Sequence, residues 1–244
     1  GFCVLGLGKL GAEELNYSSD VDLVYVHETP PGELAAVDAG QDEDQHPLAQ
    51  LEPADYFTRV AQCFGSLVSS STADGFLYRV DLDLRPEGPQ GTLVVSEEAL
   101  AGYYEAWADT WEKAAFMKAR PVAGDSRLGW RAIRRVSPSI YQTSMDIAGV
   151  ESIRSLKRQV EETHGNHSAG FNVKIESGGI RDIEFIAQAL LLLHGGRIPQ
   201  IRERSTQAGL RALAAVGLLS AARVDELLDA YRFLRRVENR LQME

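Results

Sequence analysis

The sequence predicts an α+β protein in which a small sheet with helices is followed by a bundle of helices. Short apolar runs bounded by glycine and aspartate, which are typical of strands, are concentrated in the first half of the chain. Helical spacing of apolar residues dominates the second half. The pattern changes between Gly124 and Pro138, so we assign residues 1–125 to one domain and residues 126–244 to another.

Local patterns place the elements of the first half in order. Phe2–Leu5 has the pattern of a short buried strand, and a helix is predicted from about Lys9 to Asn16. The next strand opens with two aspartates and continues as Leu23–Val26, an apolar run typical of a buried strand. Ala54–Ser70 carries apolar side chains at helical spacing, and we assign that face to the core. Phe76–Arg85 alternates with period two, which predicts a strand with one charged face.

The elements that follow are mainly helical. Thr92–Val95 is predicted as a strand, Ser96 as the start of a helix, and Thr110–Arg120 as a helix that ends at Pro121. The second half is predicted to contain an isolated strand at Phe171–Ile175 and helices at Ile147–Glu162, Ile180–Leu193, Thr206–Val216 and Ser220–Gln242. Leucine and alanine stripes on the last two helices predict a packed core.

Composition restricts the class of partner and the compartment. The formal net charge of −10 argues against nucleic acid as the main partner, because such binding depends on neutralising phosphates. No apolar run approaches the ~18 residues of a membrane span. Cys3 and Cys63 lack metal-site spacing, so we expect reduced thiols in a cytoplasmic protein. Residues 28–55 are acidic and should form a surface loop, and both ends of the chain lie inside predicted elements, so we expect a piece of a longer protein.

The strongest functional signal is the aspartate pair that opens the second strand. Asp20 and Asp22 alternate along a strand, so they point to one side with Cα atoms ~6.6 Å apart. Two carboxylates this close repel each other unless a cation lies between them, and Mg²⁺ prefers such hard oxygen ligands. Asp81 on the charged strand face supplies a third carboxylate, so all three are predicted as catalytic residues and metal ligands. The alternative is that Asp20 caps a turn and Asp22 merely opens the strand.

Candidate phosphate-binding residues accompany these carboxylates. Glycines before a helix allow the backbone to approach a triphosphate, and a neighbouring lysine can neutralise its charge. The residues predicted to bind nucleotide or phosphate are Gly8, Lys9, Ser19, Arg79, Arg85, Lys118, Arg120 and Lys174. Two alternatives stay open: the charged strand face could be solvent-exposed with cross-strand pairs, and the basic residues near Arg120 could satisfy a helix C-terminus.

A second anion site is predicted at the start of the helix that begins at Ile180. The preceding glycines, in Ser177–Gly179, leave backbone amides free at a helix N-terminus. Arg181, Glu184 and Gln188 share one face of that helix. The alternative is a glycine hinge between packed helices, with Arg181 and Asp182 in salt bridges.

The glycines Gly6, Gly8 and Gly11 also spell the dinucleotide-binding pattern G-x-G-x-x-G. That fold needs an acidic residue about 20 positions further on to hold the ribose. Here the acids follow Gly11 by nine and eleven residues and stand at the start of a strand. The spacing therefore disfavours a nicotinamide-dependent dehydrogenase.

Four ordered segments are specific enough to indicate a family: GLGKLGAEELNYSSDVDLVYVH, YRVDLDLRPEGPQGTLVVS, TWEKAAFMKARPVAGD and GGIRDIEFIAQ. They closely resemble the bacterial glutamine synthetase adenylyltransferase/adenylyl-removing enzymes. The resemblance implies a polymerase-β-like nucleotidyltransferase domain, with a small mixed sheet and helices, followed by an all-α bundle. It also implies Mg²⁺ as the cofactor and a tyrosine of glutamine synthetase as the target. One half of such an enzyme adds AMP from ATP to this tyrosine, and the other half removes the AMP with phosphate, which gives ADP.

The resemblance also bears on individual residues. It places the family's paired aspartates on Asp20 and Asp22, its third carboxylate on Asp81 and its glycine-lysine turn on Gly8 and Lys9. It implies the PII signal protein and glutamine as effectors.

Departures from the family pattern, and differences between its two halves, refine this expectation. Ala12 stands where a second glycine is usual, and Asp83 stands where an arginine is usual. GGIRDIEF with Arg181, and the tail FLRRVENRLQ, look more like the adenylyl-removing half. We therefore expect the removing activity, with the transferring activity or a non-catalytic nucleotide-binding regulatory module as alternatives.

Overall fold

A computed structural model describes residues 1–28, 51–142, 172–174 and 176–243 of the chain. The described part is a mixed α+β structure with one five-stranded sheet and several helices, as the sequence predicted. The predicted helix Ile147–Glu162 and most of the predicted acidic loop lie outside the described residues.

The sheet is built around one central strand. Its strands are β1 (Phe2–Gly6), β2 (Val21–His27), β3 (Val80–Asp81), β4 (Val94–Ser96) and β5 (Arg120–Gly124). Strand β1 pairs antiparallel with β2 and β5, whereas β2 pairs in parallel with β3 and β4 along its other edge. Because β2 has neighbours on both edges, its apolar run Leu23–Val26 is buried, with no residue more than 2% exposed. The aspartates at its start are thereby fixed to the best-supported element of the sheet.

Helices surround the sheet and form the second half of the described chain. They are α1 (Gly8–Gly11), α2 (Pro53–Ser69), α3 (Glu97–Ala106), α4 (Thr110–Phe116), α5 (Ser126–Ile140), α6 (Ile180–Gly195), α7 (Thr206–Ala215) and α8 (Ala221–Leu241). Serine side chains cap α3, α7 and α8: Ser96, Ser205 and Ser220 each accept a hydrogen bond from a backbone amide in the first turn. No helix in the described ranges is long and apolar enough to cross a membrane.

Apolar side chains pack against both faces of the sheet. Val4 and Tyr25 face helix α2, whereas Cys3 and Val24 belong to a larger cluster with α3, α4 and α5. That larger cluster continues into α6 and α7. A further cluster joins α6, α7 and α8 around Tyr231, which confirms the core predicted for the last two helices. The sheet and the helical half are thus joined by continuous packing.

The predicted strand Phe76–Arg85 is mostly wrong, since only Val80–Asp81 pairs with the sheet. The edge of β2 explains the difference: β3 occupies its first two residues, and β4 takes the same edge from Tyr25 onward. The charged residues after Asp81 therefore lie in turns, including a 3₁₀ turn at Gly88–Gln90. The alternating pattern indicated which residues could share a polar face, but it did not show that β4 pairs with the rest of the same β2 edge.

Other boundaries also differ from the predictions. Helix α1 ends at Gly11 instead of Asn16, and Glu13 has a positive φ of 61°, which no helix tolerates. Helix α4 ends at Phe116, and Pro121 lies in β5, an edge strand where the missing amide costs nothing. The described part of the predicted strand Phe171–Ile175 is a turn.

Two residues assigned to the core on α2 are exposed. Leu67 is 71% exposed and Tyr56 is 39% exposed, so the predicted apolar face packs against the sheet only in part. Ala61 is the fully buried residue of this helix. The helix was predicted correctly, but its buried stripe is narrower than the stripe of apolar residues in the sequence.

Glu14, just after α1, ties the first half of the chain to the helical half. Its carboxylate accepts hydrogen bonds from Ser205 Oγ at 3.0 Å, from the Thr206 amide at 2.9 Å and from Thr206 Oγ1 at 3.1 Å. Tyr231 donates a further bond at 3.2 Å. A negative charge at the N-terminus of α7 also interacts favourably with the helix dipole.

We expect Glu14→Ala to lower the free energy of unfolding by about 2–3 kcal/mol, because several partly buried donors would lose their acceptor. Urea denaturation followed by circular dichroism measures the change. The matched control is Glu13→Ala, since Glu13 is adjacent, 70% exposed and within ion-pair distance of Arg120 alone among the residues described. Equal losses in the two variants would show that the Glu14 contacts do not stabilise the fold.

Candidate active site

A cavity of about 530 Å³ opens where the start of β2 meets the glycine turn Gly6–Gly11 and the helices α4, α6 and α8. Eight of the eleven site residues predicted from the sequence line it: Gly8, Lys9, Ser19, Asp20, Asp22, Asp81, Lys118 and Lys174. Arg79, Arg85 and Arg120 lie outside the lining. The fold thus gathers residues that are up to 166 positions apart into one place.

Three carboxylates reach the cavity from neighbouring elements. Asp22 on β2 stands directly opposite Asp81 on β3 in the parallel register. Since neighbouring strands lie about 4.8 Å apart and opposed residues share a face, these two side chains are close neighbours. Asp20 immediately precedes β2 and lines the same cavity.

The surroundings of Asp22 disfavour the ionised form of its carboxyl group. Its burial, followed by the charges of Asp81 and then Asp20, raises its pKa above the ordinary value. The positive charge of Lys174 lowers the pKa of Asp22 but offsets these effects only in part. A bound cation would remove this repulsion.

Asp20 is held differently, by Arg79. The guanidinium Nε of Arg79 lies 2.5 Å from Asp20 Oδ1, and its Nη2 lies 3.3 Å from the backbone oxygen of Ser18. Both side chains are 52% exposed, so the pair is weak in water. Arg79 therefore contacts the site through Asp20 and does not face the cavity itself.

The acids suit Mg²⁺ by donor type. Within the ranges that the structure describes, no three His, Cys, Asp or Glu side chains form a compact metal-binding group. Mg²⁺ does not need one, because it is usually bound by one or two carboxylates, with water and substrate phosphates completing its shell. Asp22 and Asp81, side by side at an open cavity, fit that requirement.

The glycine turn approaches Asp22 so closely that a side chain at position 8 would have to displace the Asp22 carboxylate. A Cβ on Gly8 would collide with the Asp22 carboxylate, and its φ of +51° also disfavours other residues. The amide of Leu7 donates to the backbone oxygen of Asp22 at 2.9 Å, which fixes the turn to β2. A Cβ on Gly11 would collide with the backbone oxygen of Lys118, so this position is also closely packed.

Lys9 is anchored between the two halves of the chain. Its Nζ donates to Asn16 Oδ1 at 2.8 Å and to Glu238 Oε1 at 3.0 Å, and burial lowers its pKa. Burial opposes ionisation of Glu238, but Arg235 and Lys9 together hold the pKa of that carboxyl below its usual range. The positive charge of Lys9 is thus fixed at the cavity wall and shared with helix α8.

The remaining predicted cations fall into two groups. Lys118 is only 6% exposed yet lines the cavity, and Lys174 lines it from a turn. Arg85 instead donates to the backbone oxygen of Leu82 at 2.8 Å, and Arg120 to that of Leu10 at 3.0 Å. Arg85 thus closes a local turn, whereas Arg120 ties β5 to the end of α1.

Several cavity residues were missing from the predicted site. Arg181, Glu184 and Gln188 line it from α6, Glu238 and Gln242 from α8, and Trp111 from α4. The shared face of the first three was visible in the sequence, although a structural role was equally compatible with it. The last helix was assigned to the core through its leucines. Its polar residues Arg235, Glu238 and Gln242 recur at i, i+3 and i+7, a stripe that could have been found.

The family model described as glutamate-ammonia ligase adenylyltransferase matches residues 1–135, more than half of the chain. The chain belongs to this family. A second family model, described as GlnD PII-uridylyltransferase, matches residues 153–244.

Curated relatives agree with this assignment. The bifunctional glutamine synthetase adenylyltransferase/adenylyl-removing enzyme of Bradyrhizobium diazoefficiens is 41% identical over 246 residues, covering 100% of this chain and 23% of that protein. The proteins of the same name from Xanthomonas campestris and Agrobacterium fabrum are each 42% identical, over 98% and 100% of this chain and 24% of their own length. The chain thus spans about a quarter of the relatives that it matches.

We expect Asp22→Asn to raise the melting temperature when divalent cations are removed by chelation. The raised pKa means that ionised Asp22 destabilises the fold at pH values above its ordinary pKa, and asparagine removes that charge. Differential scanning fluorimetry at neutral pH measures the shift. The control is Asp83→Asn, an exposed acid outside the cavity lining, which should leave the melting temperature unchanged. A lower melting temperature for Asp22→Asn would contradict the electrostatic account.

Gly8→Ala should lower the free energy of unfolding by about 2 kcal/mol or more and displace the Asp22 carboxylate, because it combines a collision with a strained φ. Gly217→Ala separates the two causes. Gly217 also has a positive φ, of +77°, but nothing lies near its Cβ position. Chemical denaturation should show a clearly larger loss for Gly8→Ala, and similar losses would mean that backbone strain alone is at work.

Proposed function

We propose that the chain is an Mg²⁺-dependent nucleotidyltransferase that removes AMP from an adenylylated tyrosine of glutamine synthetase by phosphorolysis, with release of ADP. One observation carries the choice of reaction. Arg181 and Glu184, from the segment GGIRDIEF, and Glu238 and Gln242, from the tail of the last helix, line the same cavity as the three carboxylates. These are the two segments in which the sequence looks like the removing half. The reaction would serve regulation of nitrogen assimilation.

The architecture proposed with this function is a polymerase-β-like catalytic domain followed by a helical bundle. Support comes from the carboxylates on adjacent strands of a small mixed sheet and from the glycine turn that contacts them. The proposed domain boundary lies near residue 125, with residues 1–125 as the catalytic domain and 126–244 as the bundle. The proposal also places the protein in the cytoplasm.

In the proposed reaction, a phosphate oxygen attacks the adenylyl phosphorus in line with the tyrosine oxygen. A new P–O bond to phosphate forms, the P–O bond to tyrosine breaks, and the proton of the phosphate passes to the tyrosine oxygen. Lys118, Lys174 and Arg181 hold the incoming phosphate and neutralise its charge. Positioning and charge stabilisation, with little covalent chemistry from the protein, account for the rate.

The carboxylates have a separate task in this mechanism. Asp20, Asp22 and Asp81 would hold Mg²⁺, which when bound stabilises the charge on the entering and leaving oxygens. Arg79 keeps the Asp20 carboxylate at the edge of the cavity. Gly8 brings the backbone of the glycine turn beside Asp22, where a side chain would fill the space that the nucleotide phosphates need.

A second reaction uses the same groups. The family description names adenylyltransferase activity, and the same carboxylates and cations would serve transfer of AMP from ATP to the tyrosine. Regulation by the PII signal protein and by glutamine stays a prediction from the family resemblance.

The test offers the chain both substrates in parallel. Adenylylated glutamine synthetase with Mg²⁺ and phosphate should yield ADP, whereas unmodified synthetase with ATP should gain no AMP. Asp20→Asn, Asp22→Asn and Asp81→Asn should each lower the rate by about 1000-fold or more, because each removes a metal ligand.

The control for these variants is Asp83→Asn, which should keep the rate of the unmodified chain. AMP incorporation without phosphorolysis would assign the chain to the transferring reaction. Full activity in any of the three asparagine variants would contradict the metal site. If the chain without substitutions catalysed neither reaction, a non-catalytic module would be favoured.

A further inference from the structure

One wall of the cavity is mainly apolar, in contrast to the part that carries the three carboxylates. It is formed along α4 and the turn after it by Trp111, Ala114, Ala115 and Lys118. These positions are related by i, i+3, i+4 and i+7, so they form one continuous stripe. The stripe begins with an indole ring, passes two methyl groups and ends with an ammonium group.

The two ends of this stripe differ in exposure. Lys118, at the inner end, is 6% exposed, and its backbone packs against Gly11 of the glycine turn that also contacts Asp22. Trp111, at the outer end, is 41% exposed. Trp111 lies in the first turn of α4, and Lys118 lies in the turn that follows the helix. A ligand with a charged inner end and an apolar outer end would match both ends of the wall.

Trp111 has the features of a platform for a flat ring. A large apolar side chain at the rim of a polar cavity is costly to expose and often marks a binding surface. None of the ring-to-ring contacts found among the described residues involves Trp111. Ala114 and Ala115 line the cavity together with Trp111, and Phe185 of α6 adds a second aromatic ring to the lining.

We propose that Trp111 stacks on the purine base of the nucleotide whose phosphates lie at Lys118 and the carboxylates. This inference rests on the proposed function and adds the base-binding subsite to it. A base is the planar group that a ribose connects to a phosphate, and base stacking on aromatic side chains is a general mode of recognition. The tyrosine ring of the protein substrate is the other planar group present, and the experiment distinguishes the two.

The experiment measures ADP binding by isothermal titration calorimetry in the presence of Mg²⁺. Trp111→Ala should weaken ADP binding by about ten- to hundredfold, the effect expected for one stacked base. Trp111→Phe, which keeps a ring, should restore most of the affinity. Binding of inorganic pyrophosphate, which has no base, should be the same in all variants.

Trp107 provides the matched control. It lies at the end of α3, is 79% exposed and does not line the cavity, so Trp107→Ala should bind ADP normally. Tryptophan fluorescence gives an independent readout. ADP should quench the emission of the unsubstituted chain and of Trp107→Phe, but not that of Trp111→Phe, in which Trp107 and Trp130 still emit.

The outcomes separate this inference from the proposed function. ADP binding that depends on Trp111, in a chain without phosphorolysis, would support the base platform and overturn the proposed reaction. Phosphorolysis with normal ADP affinity in Trp111→Ala would overturn the platform alone. A higher KM for adenylylated synthetase in Trp111→Ala, with ADP affinity unchanged, would assign the ring to the tyrosine and also overturn it. Circular dichroism of each variant verifies that the fold is retained.

Discussion

The close approach of the glycine turn to Asp22 is the constraint on which the rest of the site depends. A backbone without a side chain at Gly8 lies against a carboxylate that is itself opposed by Asp81 across two paired strands. Burial and like charge make that arrangement unfavourable by itself, and the buried packing of β2 holds it in place. The central strand therefore keeps negative charge concentrated where a bound cation could offset it.

The helical half of the chain takes part in the site as directly as the sheet does. Glu238 holds Lys9 at 3.0 Å, Arg235 holds Glu238 at 2.7 Å, and Arg235 also contacts Glu184 at 3.0 Å. These groups are largely buried, so removal of one member would leave another charge without its partner. The bundle thus determines where Lys9 of the glycine turn lies. A boundary near residue 125 separates the strands from most of the helices, but the site contains residues from both sides of it.

Features encoded by neighbouring residues were predictable from the sequence, and features decided by distant parts of the chain were not. The turn and strand around Asp20 and Asp22, the caps and the last helices follow from local patterns. The strand at Val80–Asp81 proved short because β4 competes for the same edge, which no local pattern records. Arg85 and Arg120 looked like phosphate ligands by charge, yet their guanidinium groups satisfy backbone oxygens. Glu238 was overlooked because its helix also carries a clear leucine stripe.

The bond between Lys9 and Glu238 joins residues 229 positions apart. During synthesis the glycine turn leaves the ribosome long before the helix that carries its partner, so the cavity cannot acquire its final arrangement of charges until almost the whole segment has been translated. A nascent chain without its last helix would therefore lack the carboxylate that holds Lys9 at the cavity wall.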